Sequence, residues 1–238
     1  QNHEMTDLIF KNPGLDFASI HLYEKSSIDS PVNLHAAALA TGLMVKSSID
    51  SITDERPFLD SEHGPITYFR KNRKGLSEAF DDAYFLYMQW AHLASGAAGG
   101  GMRWPYRYPH TLTHGMRRAQ HNMAAFVELI DWRNFRRKNI STQIKTNSKN
   151  LSAFGCADAF QAVIWLMKID RHKKKNSPPS PTHFELWLPG FSSGEYRVHF
   201  WNTQRAELQS IAVIHDKSEM QISYTISDNL AIAIQKIT

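Results

Sequence analysis

Arg56-Pro-Phe-Leu-Asp-Ser-Glu-His-Gly-Pro65 is the stretch on which the fold turns. A short apolar step, Phe58-Leu59, runs into Asp60, Ser61 and Glu62 and halts at Gly64-Pro65. A proline before such a run and a Gly-Pro turn after it mark a strand. Residues 56–62 are therefore expected as a strand whose end delivers Glu62 and His63 into a loop.

Working outward, the same alternation repeats on both sides. Asp16 to Tyr23 follows the turn signal Asn12-Pro-Gly14 and reads as a buried strand. Ser30-Pro31 then opens a helix with an N-cap and a first-turn proline. Its apolar positions Leu34, Ala38, Leu39, Met44 and Val45 recur at helical spacing to about Ile52. Downstream, 77–93 is a helix carrying Phe80, Tyr84, Tyr87, Met88 and Trp90. Gly96 to Met102 is expected as a third strand, ending in Arg103-Trp104-Pro105. A last helix, 112–130, places Met116, Ala119, Met123, Phe126, Val127 and Ile130 on one stripe. Three strand–helix repeats imply a parallel sheet covered by helices, whose doubly buried strands are apolar throughout.

Beyond Trp132 helical spacing is lost. The run 159–169 and the strand-length runs 183–188, 195–201, 208–215, 219–226 and 230–237 come with turn signals about every 8–12 residues, the pattern of a small antiparallel sandwich. Lys173 to Pro181 reads as a long hairpin loop within it. Charge changes at the same place. Residues 1–131 hold 12 Lys+Arg against 15 Asp+Glu, and residues 132–238 hold 15 against 8. Two domains are expected, 1–131 and 132–238.

Composition excludes several classes. With 42% hydrophobic and 21% charged residues, the chain is globular rather than disordered. No apolar run reaches the roughly 18–20 residues of a membrane helix. The start at Gln1 is polar and unlike a secretory signal. Cys156 is the only cysteine, so no internal disulfide forms, and it reads as a small buried strand residue. Arg171-His-Lys-Lys-Lys175 reads as a solvated loop, so no nucleic-acid partner is expected.

The chemistry gathers at strand ends, where a barrel of this architecture carries its reactive groups. The first strand delivers His21 and Tyr23, the second Glu62 and His63, the third Arg103 and Trp104. A carboxylate can attack an anomeric carbon, polar ring groups can bind hydroxyls, and an indole offers a face to a pyranose. In order and spacing, Asp16 to Tyr23, Arg56 to Pro65 and the glycine-rich stretch ending Met102-Arg-Trp-Pro105 resemble strands six, seven and eight of the retaining barrel glycosidases, the clan that includes the cellulases and mannanases of glycoside hydrolase family 5. The resemblance covers roughly residues 16–131. It implies Glu62 as nucleophile, Tyr23 as its hydrogen-bond partner and Trp104 as floor of the sugar subsite, with His21, His63 and Arg103 as further substrate contacts. The C-terminal runs, with Gly194 to Trp201, resemble the β-domains appended to such barrels. Trp187 and Trp201 read as core.

One part of the pattern is missing. A retaining glycosidase needs a second carboxyl group as acid/base, about 5–5.5 Å from the first. Glu4, near Asn2, lies too close in sequence to Asp16 for the strand and helices that belong between. The expectation is the C-terminal part of a TIM-type barrel followed by a β-sandwich, from a periplasmic or extracellular parent enzyme. Its partners would be a carbohydrate substrate and either the missing N-terminal barrel portion or a second chain. No cofactor is expected. Neither is a metal: His3-Glu4-Met-Thr-Asp7 lacks the second histidine of a zinc helix, and His110 and His114 lack a third ligand. Two other readings remain open, a non-catalytic carbohydrate-binding relative and a βα enzyme using Glu62 as a general base.

Overall fold

Asp60 to His63 lie in the second strand of a parallel pair. In a computed structural model, which describes residues 8–29, 31, 33–65, 76–104, 112–169 and 180–237, β1 (Ala18–Leu22) pairs in parallel with β2 (Phe58–His63). Helix α1 (Leu34–Asp50) connects them. Its cap is Asn33, in an extended backbone, whose Oδ1 accepts the His35 and Ala36 amides at 3.0 and 3.3 Å. The expected cap, Ser30, lies outside the described residues. Helix α2 (Glu78–Ala94) follows β2 and starts with Glu78 and Asp81 in its first turn, where the helix dipole favours negative charge. Helix α3 (His114–Val127) comes after the glycine-rich stretch. Thr113 caps it by accepting the Met116 amide at 3.1 Å.

The glycine-rich stretch is not a strand. It follows β2 with strand-like bonds, Ala98 N to Phe58 O at 2.7 Å and Met102 N to Asp60 O at 2.9 Å, and closes in one bridge between His63 and Arg103. Gly99 and Gly101 take φ of +116° and +73°, which breaks the extended run. The side chains of α2 lie against it: a Cβ on Gly100 would fall 2.1 Å from Gln89 Oε1. Phe10, Ala18, Leu22, Val45, Phe58 and Ala97 form one apolar cluster under the pair, and Ile28, Ala37, Tyr84 and Met88 another between the helices.

The chain divides into two compact units within α3, 1–118 and 119–238, upstream of the change in charge at Asp131. In the second unit, β3 (Lys138–Asn139), β5 (Leu151–Ala157), β6 (Gln161–Lys168), β8 (Gly194–Asn202), β9 (Leu208–His215) and β11 (Leu230–Lys236) form a six-stranded sheet in the order β3-β5-β6-β11-β8-β9. The strands β10 (Glu219–Ile226), β7 (Thr182–Pro189) and β4 (Lys145–Thr146) form a second sheet in that order, and both sheets are antiparallel throughout. One core joins the two: Phe184, Leu186, Leu188, Met220 and Ile222 meet Ile164, Leu166, Val198, Phe200, Ile232 and Ile234.

The run expected at 159–169 starts later, because Asp158 Oδ1 accepts the Phe160 and Gln161 amides, both at 2.8 Å. That side-chain turn ends β5 and sends the chain back as β6. Trp201 is buried with its ring edge on Phe126, whereas Trp187 is only partly buried on the outer side of β7. Cys156 is a buried strand residue whose thiol is pushed up to about 12 by desolvation. The expected loop at Lys173 to Pro181 lies almost wholly outside the described residues. No described helix is long and apolar enough to cross a membrane.

Candidate functional site

Parallel pairing puts the ends of β1 and β2 on the same edge, and there Tyr23 Oη donates to Glu62 Oε1 at 2.5 Å. Burial, followed by the hydrogen bond to Glu62 and its charge, pushes the phenol well above its ordinary value. Tyr23 therefore stays protonated as the donor, and the carboxylate of Glu62 is the acceptor. The Glu62 side chain keeps 22% of its surface open to solvent, enough to meet a reactant. His21 brings Nδ1 to 3.6 Å from the same oxygen while remaining 56% exposed. Its ring stands edge-on to Tyr23 with centroids 6.4 Å apart. Three of the six residues expected to line a site thus meet at one strand edge.

Trp104 is brought to the same edge. The parallel bridge between His63 and Arg103 is followed by a bond from Trp104 N to His63 O at 2.7 Å. The indole is 43% exposed. Gly64, with φ of +153°, passes close by, and a Cβ there would lie 3.4 Å from Trp104 Cβ. Trp104 thus lies beside the turn that follows Glu62.

His63 and Arg103 were expected to contact substrate, and their surroundings place them instead in the interior. His63 is fully buried, its Nδ1 2.8 Å from Asp60 Oδ2. Desolvation, reinforced by the charges of His92 and Arg103 and only partly offset by Asp60, lowers its pKa to about 4, so the ring is neutral. The Arg103 guanidinium is 6% exposed, pairs with the fully buried Asp81, and sits 5.2 Å from the centre of the Tyr84 ring. Both side chains are held by partners inside the fold, beneath the edge that Glu62 and Trp104 present.

The sequence reading missed Asp60 and His92. Asp60 is fully buried, and its Oδ1 accepts the backbone amides of Leu22 at 3.3 Å and Glu62 at 3.1 Å. Its Oδ2 faces His63 Nδ1 and, at 2.7 Å, His92 Nε2 from the last turn of α2. These contacts outweigh burial and hold the carboxyl far below its usual range, so it is ionised. The signal available beforehand was chemical: an aspartate inside an apolar strand, and a histidine among Trp90, Ala91, Leu93 and Ala94, all need partners in the interior.

Asp60, His63 and His92 are also the described residues that could together hold a metal ion, with one ligand atom from each within 4.8 Å of the others. The spacing does not favour it. Two ligands on a tetrahedral zinc with bonds of about 2.0–2.1 Å stand roughly 3.3 Å apart. The carboxylate oxygen is 2.8 and 2.7 Å from the two ring nitrogens, closer than two ligands of one zinc stand. His92 Nδ1 bonds the Met88 carbonyl at 2.7 Å, so its other nitrogen is left to face Asp60. His63 is hydrogen-bonded to Asp60, and His92 Nε2 faces the same oxygen at 2.7 Å. Glu4 and His110 lie outside the described residues.

No protein-family model matches the chain, and no curated protein matches it. Solved structures do. One described as a glycoside hydrolase is 12% identical with a TM-score of 0.53, covering 95% of this chain and 54% of its own. A glycoside hydrolase family 5 structure from Bacteroides vulgatus ATCC 8482 is 11% identical with a TM-score of 0.54, covering 97% of this chain and 53% of its own. The fold is similar to that of glycoside hydrolases. The chain spans about half the length of these structures, and at such identity the likeness concerns the fold alone.

Proposed function

We propose that this chain is the C-terminal part of a retaining glycoside hydrolase: residues 1–131 are barrel strands six to eight, residues 132–238 an appended β-sandwich, and Glu62 the nucleophile. The observation that carries the proposal is the bond from Tyr23 Oη to Glu62 Oε1 between adjacent parallel strand ends, with Trp104 at the same edge. A nucleophilic carboxylate must be ionised, reachable and aimed. Tyr23 supports the first and third by donating to one oxygen, and the partial exposure of Glu62 supports the second. In double displacement Glu62 attacks the anomeric carbon while an acid protonates the departing oxygen. Water then cleaves the glycosyl ester with that same group acting as base. His21 and Trp104, both open to solvent at this edge, would contact the sugar.

The acid/base would come from a part of the barrel outside this sequence. Support for a larger barrel comes from the sheet edge. Among the described residues β1 pairs with β2 alone, and its other edge suits a further parallel strand. The test is Glu62→Gln in the full-length protein that contains this segment. Turnover of a glycoside is expected to fall by several orders of magnitude with the unfolding midpoint unchanged. Activity within about tenfold of wild type would remove Glu62 from the role.

A further inference from the structure

We infer that Asp60 is a positioning residue, whose carboxylate holds a slipped turn of β2 and thereby aims Glu62 toward Tyr23 and solvent. The inference rests on the proposal that Glu62 is the nucleophile, and it concerns how that group is held. In a regular strand, residues 58, 60 and 62 point to one face and 59, 61 and 63 to the other. Here the pairing slips. Ile20 lies opposite Asp60, but the next residue, His21, lies opposite Glu62, so Ser61 has no partner across the ladder. One extra residue reverses the phase of everything after it. Phe58 and Asp60 are buried, and after the slip the buried position is His63, not Glu62. Without the slip, Glu62 would follow Phe58 and Asp60 into the interior.

A slip in a parallel pair displaces backbone amides from the ladder, and each needs another acceptor. Asp60 Oδ1 accepts two of them, one from each strand: Leu22 N from β1 and Glu62 N from β2. The second of these is the amide of the proposed nucleophile itself. The other oxygen is fixed from β2 by His63 Nδ1 and from α2 by His92 Nε2. Ser61, the extra residue, is tied by Ser19, whose hydroxyl donates to Ser61 Oγ at 2.7 Å, and donates in turn to the Ile20 carbonyl at 3.4 Å. Gly101 closes the remaining side, where a Cβ would stand only 3.0 Å from Asp60 Oδ2 and from the His92 ring. One ionised, fully buried carboxylate thus joins β1, β2 and α2 at the residue whose direction matters.

The experiment compares Asp60→Ala and Asp60→Asn in the full-length protein, by amide hydrogen exchange and by steady-state kinetics. In the wild type, the Leu22 and Glu62 amides should exchange as slowly as those of Ser19 and Leu59 within the ladder. Asp60→Ala should speed exchange at Leu22 and Glu62 by at least tenfold relative to the amides of β7 and β8. It should also lower kcat by about 100-fold with KM nearly unchanged, the cost of misplacing a reacting group by about 1 Å. Asp60→Asn keeps a carbonyl oxygen at the Oδ1 position and should restore both readouts to within about tenfold of wild type. A residue that only stabilised the fold would lower the unfolding temperature in both variants without separating kcat from KM. Unchanged exchange at Leu22 and Glu62 in Asp60→Ala would overturn the inference, as would equal kcat in the two variants. If Asp60→Ala does not fold, fast exchange of these two amides in the wild type would overturn it equally. A full-length protein that hydrolyses no glycoside would instead refute the nucleophile proposal, with the exchange arm still deciding the role of Asp60.

Discussion

Acidifying the protein from pH 7 to 4.5 should weaken its fold through one side chain, His63, by an amount set by its surroundings. Its ring is fully buried and packed against the tilted ring of His92 of α2, centroids 4.9 Å apart, with Asp60 on its own strand and Arg103 on the bridging segment. Burial dominates, and its pKa falls from 6.5 to about 4. The folded state therefore binds fewer protons than the unfolded one between these values, so stability rises with pH through that window and is lost as pH falls through it. The penalty approaches about 3 kcal/mol below pH 4, with about 2–3 kcal/mol already expressed at pH 4.5. Asp60 also loses stabilisation with acid, since its folded-state pKa is depressed, but only below its ordinary range near pH 4. The two effects occupy different windows. The assay is urea unfolding of the full-length protein from pH 7.5 to 4.5, for wild type and for His63→Asn, which keeps a donor toward Asp60 but does not titrate. The other eleven histidines act in both proteins, so the difference between the curves isolates His63. Wild type should lose about 2–3 kcal/mol more than the variant over this range. Parallel curves would refute the reasoning, because they would mean that the ring is charged or solvated in the folded state.

Two further outcomes follow from the same site. Tyr23→Phe removes the donor to Glu62, and a hydrogen bond to a charged group contributes about 1.5–3 kcal/mol. Turnover should therefore fall roughly 10- to 100-fold. Turnover within about twofold of wild type would show that the bond does not support the reaction. Gly101→Ala puts a Cβ into a backbone with φ of +73°, 3.0 Å from the Asp60 carboxylate and the His92 ring. The unfolding free energy should drop by more than about 1 kcal/mol, and an unchanged urea midpoint would show that the contact relaxes.

Much of this architecture was legible because local chemistry and tertiary structure agree. β9 and β10 fall at 208–215 and 219–226, where alternating runs and turn residues placed them. The helices differ from the sequence reading by a few residues at their ends, with α1 starting where Asn33 can cap it. Gly96 to Met102 misled because small apolar residues read as a buried strand, while their actual use is to let the backbone pass against Gln89 and His92 with positive φ. At the site, Glu62, Tyr23, His21 and Trp104 could be seen because strand ends share an edge in parallel sheets. The surroundings of His63, Arg103 and Asp60 could not. These depend on Asp81 and His92, side chains on a helix that its apolar pattern marks only as core, and on a one-residue slip that no periodicity records.

The central claim is that Glu62 attacks sugar, and trapping the covalent intermediate tests it most directly. The full-length protein is incubated with 2-deoxy-2-fluoro-glycosides bearing a good leaving group, then digested and analysed by mass spectrometry. A single glycosyl adduct on Glu62 is expected, absent from Glu62→Gln and released on adding an acceptor sugar. An adduct on another carboxylate, or hydrolysis of these glycosides with no adduct on Glu62 at any time, would contradict the claim.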